Sequence, residues 1–237
     1  MKIRCVWEHN GNDTILYSDN FIGAFTRGKS LDMALGKMER EVISYLKWCG
    51  KQVPDMLIPE IVQEKESQLQ ICDADSEVIF EEEKKPLTED EYLALKKLAL
   101  KSSEDFLMLY SMVPDKNKSN LPIRKTFYGD IPRTAEEMYD HTKNVNSYYF
   151  GEIGIKIDNE GSISQCRSRG FEVLEHTEGY LNNKVFNGSY NEQWSLRKVL
   201  RRFIWHDRIH AKAMYRMALN TFGENSVPDI FYYNCNY

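Results

Sequence analysis

The 237-residue chain has no apolar run near the roughly 18 residues that a membrane-crossing helix needs, so membrane-spanning transporters and receptors are excluded. Its start, Met1-Lys2-Ile3-Arg4-Cys5-Val6-Trp7-Glu8, lacks the apolar core of a secretory signal, and a cytoplasmic protein is the expectation. Cysteine is sparse and unpaired. Cys5, Cys49, Cys72, Cys166 and Cys235 are scattered, and no two have CxxC spacing. An odd number without a framework reads as reduced thiols, excluding a disulfide scaffold or a cysteine-zinc module. There is also no basic excess. Residues 1–85 hold 11 Lys and Arg against 16 Asp and Glu, which accounts for the whole formal charge of −5. The remaining 20 basic and 20 acidic residues balance, so neither part has the positive surplus that phosphate contacts require, and nucleic acid is not an expected partner.

What is present is ordinary globular material, 42% hydrophobic and 28% charged, with a clear change of pattern part-way along. Residues 2–7 alternate as a strand does. Asn10-Gly11-Asn12-Asp13 is a turn, and Thr14-Ile15-Leu16-Tyr17 reads as the returning strand. A third strand is expected to include Phe21-Ile22-Gly23-Ala24-Phe25-Thr26. Ser30 is a plausible N-cap with Asp32 in the first turn, and Leu31, Leu35, Met38, Val42, Tyr45 and Cys49 follow at helical spacing until Gly50 and Pro54. Ile61–Lys65 and Glu77–Phe80 read as further strands. The sum is a small βββαβ unit over residues 1–85.

Glu81-Glu82-Glu83-Lys84-Lys85-Pro86, charged and stopped by proline, marks the expected boundary. Beyond it, over 86–237, the pattern becomes helical. Thr88–Glu91 and Thr134–Glu137 are capping boxes, Ser162–Gln165 is a third, and Ser195 is the N-cap of the last long helix. The apolar stripes that follow are Leu95, Leu98, Phe106, Leu109 and Val113; then Met138, His141, Val145, Tyr148 and Tyr149; then Ile163, Cys166, Gly170, Phe171, Leu174 and Leu181. The last is Leu196, Val199, Phe203, His206, His210, Ala213 and Met217. Four capped helices predict a four-helix bundle, and an α+β fold class for the whole chain. The aromatic stretch from Val227 to Tyr237 receives no role from its sequence.

Two of the five histidines, His206 and His210, lie one turn apart on the apolar face of the last helix. A buried imidazole without a hydrogen bond costs about 1–3 kcal/mol, so replacing two aliphatics with histidines calls for a compensating partner. A divalent metal is such a partner, since neutral imidazole binds Zn, Ni, Cu or Fe well. His141, in the stripe of an earlier helix, is the expected third ligand, and three protein ligands leave a coordination position open. His9 and His176 do not reach that point. The alternative is a set of core histidines hydrogen-bonded to Tyr or Asp. His206-Asp207-Arg208-Ile209-His210 also has the spacing of the zinc-protease His-Glu-x-x-His helix, but Asp207 is one methylene too short for the base and no downstream ligand follows. Asp207, Asn144, Tyr148 and Glu152 are candidates for proton handling by helical proximity. The last helix also carries Arg197, Lys198, Arg201, Arg202, Arg208, Lys212 and Arg216, a run expected to form a solvated face or to attract a carboxylate-bearing molecule.

Two resemblances attach to these residues. Gly23-Ala24-Phe25-Thr26-Arg27-Gly28-Lys29-Ser30-Leu31-Asp32-Met33-Ala34-Leu35 resembles the strand-to-helix segment of HicB-like domains over roughly residues 2–70, implying a small helix-on-sheet fold that packs on its neighbour or on a partner. Residues 88–220 resemble the DinB superfamily of four-helix bundles. That likeness is carried by Ala135-Glu136-Glu137-Met138-Tyr139-Asp140-His141, by Trp194-Ser195-Leu196-Arg197-Lys198 and by Arg202 through His210. It implies a Zn or Ni site on His141, His206 and His210, and for some relatives transferase or isomerase chemistry with a low-molecular-weight thiol; a homodimer is a modest further expectation. The reading is therefore a metal-binding protein, a thiol-dependent S-transferase acting on a small electrophile or a metal-dependent hydrolase. Its rival is a non-catalytic regulatory protein with a structural metal and an antitoxin-like N-terminal domain.

Overall fold

A computed structural model describes residues 1–73, 76–126 and 129–234. It is a mixed α+β protein: an N-terminal four-stranded sheet and five helices. β1 (Lys2–Asn10) and β2 (Asp13–Ser18) form a hairpin through Gly11, whose positive φ suits the tight turn. β3 (Phe25–Gly28) pairs antiparallel with β2, and β4 (Ile58–Glu66) pairs parallel with β1, giving the order β3-β2-β1-β4. A parallel pair needs a crossover, and α1 (Leu31–Trp48), capped by Ser30, lies between β3 and β4 in the chain.

Alternation along β2 shows how the sheet is used. Leu16 joins the core shared with α1, while Ile15 and Tyr17 face the other way with Val6 and Phe25. That second face is covered by Ile71, Val78, Phe80 and Trp205. The last of these belongs to the final helix. α2 (Glu89–Met112), α3 (Ala135–Gly151), α4 (Ile163–Glu175) and α5 (Leu196–Phe222) complete the fold, with α2 and α3 each packing on both α4 and α5. All three expected capping boxes form, and Ser195 Oγ accepts from Lys198 N. Among the described residues, no helix is long and apolar enough to cross a membrane.

α5 is buried on nearly every side, and four consecutive residues show why. At 100° per residue, Trp205, His206, Asp207 and Arg208 point to four different neighbours. Trp205 packs against Tyr17 and Phe25 of the sheet, and His206 faces His141 of α3. Asp207 meets Ser102 of α2 and Arg167 of α4, and Arg208 pairs with Glu41 of α1 at 2.7 Å. The turn before β3 presses on the same helix: Gly23 has φ +98°, and a Cβ there would collide with Ile204.

Several sequence expectations are corrected. The strand expected over 21–26 begins only at Phe25, because Ala24 N closes a turn onto Phe21 O at 2.9 Å. Glu77–Phe80 is not part of the sheet. Its carbonyls are taken by side chains instead: Lys198 Nζ donates to Glu77 O, Arg201 to Val78 O and Gln63 to Ile79 O. Leu181 lies outside α4, which stops at Glu175 with His176 as its C-cap. Four of the seven basic residues on α5 are not on a solvated face, while Arg216 is exposed. Lys198, Arg201, Arg202 and Arg208 are buried, and their charges meet Glu192, Glu83, Glu192 and Glu41 respectively. The acidic boundary stretch takes part in this, since Glu83 is buried in a short 3₁₀ turn and caps Phe80 N while holding Arg201. The described part of the aromatic tail is structural as well. Phe231 stacks on Trp48, its carbonyl accepts from Ser44 Oγ at 3.1 Å, and Tyr233 Oη donates to Arg208 O at 2.7 Å. Cys5, Cys49, Cys72 and Cys166 are free thiols, and Cys235 lies outside the described residues.

Candidate metal centre

The i, i+4 spacing on α5 brings the rings of His206 and His210 to 4.4 Å between centroids. His141 of α3 completes the group, 5.0 Å from His206 and 4.7 Å from His210. One nitrogen from each ring lies within 4.8 Å of the others. Tetrahedral zinc with Zn–N bonds of about 2.0–2.1 Å sets its nitrogens about 3.3 Å apart, so closing on an ion asks for movements of about 1.5 Å or less.

The protonation states suit a metal. Burial pushes His206 well below the ordinary histidine range, and the neighbouring imidazoles of His210 and His141, then Arg202 and Arg167, push the same way. Burial and His141 push His210 down to about 3, and burial lowers His141. All three are therefore neutral imidazoles near pH 7, which is the form that ligates. His206 Nδ1 is buried and has no hydrogen-bond partner. Other buried side-chain atoms are likewise unpaired, among them Trp194 Nε1 and Trp205 Nε1, so this atom is compatible with an ion on the triad and the convergence of the rings carries the argument. Among the described residues no carboxylate or thiol joins the cluster, so the donor set is three imidazoles. The rings are graded in exposure, with His206 buried, His210 half-buried and His141 exposed, so the site is reached from the α3 side.

His141 thus stands at the rim and not in the core stripe the sequence suggested. The buried line of α3 runs through Met138, Thr142, Asn146 and Tyr149, because two polar side chains are satisfied inside. Thr142 Oγ1 donates to Met138 O at 2.7 Å, and Asn146 Oδ1 accepts from Arg167 Nε at 3.1 Å. The stripe is rotated by one residue, leaving Val145 half-buried and Tyr148 exposed.

The candidates for proton handling fall elsewhere. Asp207 follows His206 in the chain but points about 100° away. Its Oδ1 accepts from Arg167 Nη2 at 3.0 Å, and its Oδ2 accepts from Arg167 Nη1 and Ser102 Oγ. A carboxylate so held ties α5 to α2 and α4. Tyr148 stands edge-on to Trp194, 5.9 Å between centroids, and burial with Glu152 and Glu192 nearby raises its phenol, keeping it protonated. Glu152 ends α3 and accepts from Ser189 N at 2.8 Å, anchoring the loop before α5. Asn144 uses its carbonyl to hold Asn159. His9 pairs with Glu64 and stacks on Trp7, and His176 caps α4; neither approaches the triad.

Two residues near the centre were given no part in the site by the sequence, Tyr149 standing there only as a stripe residue. Tyr149 presents its ring edge-on to His206 at 6.0 Å and walls the site. Arg167 supports it from behind. Its position inside the stripe Ile163, Cys166, Gly170, Phe171, Leu174 was the available clue, since an arginine there demands a buried acid.

The chain matches no family model, no curated protein and no solved structure. The reading of the centre accordingly rests on its own geometry and chemistry.

Proposed function

We propose that this protein binds a divalent metal, zinc or nickel, on His141, His206 and His210, and uses the remaining coordination position for a thiol-dependent transfer or a hydrolysis. The observation that carries the proposal is the convergence of three neutral imidazoles. The likeness of residues 88–220 to the DinB superfamily points the same way, and the βββαβ order of the N-terminal part agrees with a HicB-like unit. When bound, the ion supplies a Lewis acid that lowers the pKa of a thiol or water presented to it. The chain's own contributions are positional. Asp207 and Arg167 lock α5 against α2 and α4, so the two α5 histidines keep their spacing. Tyr149 and Trp205 flank His206 with aromatic surface and exclude water from its inner side. The exposed side of His141 leaves an approach for a small thiol or electrophile.

The rival, a non-catalytic protein with a structural ion, calls for a fourth protein ligand. The three-imidazole donor set favours the open site. Cobalt substitution tests this. Untagged protein titrated with Co²⁺ is expected to develop the visible absorption of a low-coordinate cobalt site, and a low-molecular-weight thiol is expected to change that spectrum. The same spectrum in a His206→Ala/His210→Ala variant would refute the site, and a wild-type spectrum indifferent to thiols and other small ligands would favour the structural reading.

A further inference from the structure

One cleft of the molecule lies apart from the three histidines, none of which lines it. That cleft, about 870 Å³, lies between β2, β3, α1, the C-terminal half of α5 and the tail, and Ile209 and Ala213 of its wall flank His210 in sequence. Its charge is unlike that of the protein. Arg27, Lys29, Lys37, Arg40, Lys212 and Arg216 line it, against only two carboxylates, Asp13 and Glu41, in a chain of formal charge −5.

Partners sort these cations. Glu41 is already engaged, by Arg208 at 2.7 Å and Lys212 at 3.1 Å, and these cations outweigh the opposing effect of burial and hold it ionised. Arg27 donates to the Ile71 and Cys72 carbonyls, and Lys37 donates to Arg27 O at 2.7 Å. Lys29, Arg40 and Arg216 remain. Each is exposed and has no ion-pair or hydrogen-bond partner among the described residues. They come from three places: the turn before α1, the third turn of α1, and α5. Three uncompensated cations from separate elements around one concavity focus a positive potential there. Guanidinium groups such as those of Arg40 and Arg216 also match the oxygens of phosphate or carboxylate in bidentate fashion. Phe25, Met33, Ile209 and Leu219 supply apolar wall beside them. Size, apolar wall and a few polar anchors are the marks of a small-molecule site, for which volumes of about 300–1,000 Å³ are usual.

We infer that this cleft is a binding site for a small organic molecule carrying at least two oxyanion charges, phosphate or carboxylate, held by Lys29, Arg40 and Arg216. The site is independent of the metal centre. A strand of nucleic acid is the less favoured occupant, because the chain as a whole, with a formal charge of −5, carries no basic excess.

The test is calorimetric titration of metal-free, untagged protein at low salt with two probes, inorganic pyrophosphate and citrate; their ranking tells phosphate from carboxylate. At least one is expected to bind with a Kd below about 1 mM and to weaken as salt is added. An Arg40→Ala/Arg216→Ala variant, both side chains exposed and unpartnered, is expected to lose about tenfold or more, the equivalent of about 1.4 kcal/mol. A Lys97→Ala/Lys156→Ala variant, which removes the same charge elsewhere on the surface, is expected to bind as wild type. His206→Ala/His210→Ala is also expected to retain binding, which separates this site from the metal centre. Absence of binding by both probes, equal loss in the Lys97/Lys156 control, or binding only to a single-stranded oligonucleotide would overturn the inference.

Discussion

Replacing Asp207 separates its two possible roles, because a proton-handling residue and a structural one fail differently. Its carboxylate is fully buried and accepts from both terminal nitrogens of Arg167 and from Ser102, while Arg167 also donates to Ala99 O at 2.9 Å and to Asn146. Asp207→Asn leaves the Arg167 guanidinium buried without a counter-charge, and removing one partner of a buried pair costs about 3–5 kcal/mol. With a urea slope of about 2–3 kcal/mol/M, the unfolding midpoint should fall by about 1–2.5 M. Arg167→Met should lose a similar amount, since it leaves the Asp207 charge and the Ala99 and Asn146 groups unmatched. The double variant Arg167→Met/Asp207→Asn should lose less than the sum of the singles by about 3 kcal/mol, the signature of a coupled pair. Urea unfolding followed by circular dichroism reads all three. An Asp207→Asn protein with an unchanged midpoint and a lost reaction would refute this reasoning and return Asp207 to the chemistry.

Three further outcomes follow from the same geometry. His206 and His210 titrate lower in the folded chain than the ordinary 6.5, so below that value the unfolded state takes up more protons and metal-free protein loses stability as the pH falls from about 6.5 towards about 3. At pH 5.5 the loss should be of order 1 kcal/mol for His210. Urea midpoints at pH 7.5 and 5.5 should converge in a His206→Phe/His210→Leu variant, and an equal pH response in both proteins would contradict the assignment. Glu83→Ala leaves Arg201 buried and unpaired and should destabilise by about 3–5 kcal/mol, whereas an exposed boundary glutamate would be neutral within about 0.5 kcal/mol in thermal unfolding. Gly188→Ala places a methyl against the Glu152 carboxylate and the Trp194 ring and should cost about 1–3 kcal/mol by the same measurement; no effect would mean that Glu152 does not hold the loop.

Local signals were the legible ones. Thr88, Thr134, Ser162 and Ser195 announce four helix starts because a cap is decided within three residues, and each forms. His206 and His210 share a face because four residues make about one turn, and that too is local. What failed depended on partners distant in sequence. The arginines of α5 read as surface until Glu41, Glu83 and Glu192 are placed beside them, and those acids lie up to 167 residues away in the chain. Asp207 read as catalytic because its chain neighbour is His206, yet Arg167, 40 residues earlier, claims it. His141 was given the right company and the wrong depth. The spacing puts His141 in a core stripe, while Thr142 and Asn146 are buried with hydrogen bonds to Met138 O and Arg167 and turn the helix by one position.

The central claim is that His141, His206 and His210 form one metal centre, and its most direct test is the metal content of protein purified without a histidine tag, incubated with Zn²⁺ or Ni²⁺ and desalted. The account predicts about one equivalent per chain in the wild type and less than about a tenth in His206→Ala/His210→Ala. Less than about a tenth in both proteins, or the same full equivalent in both, would contradict it.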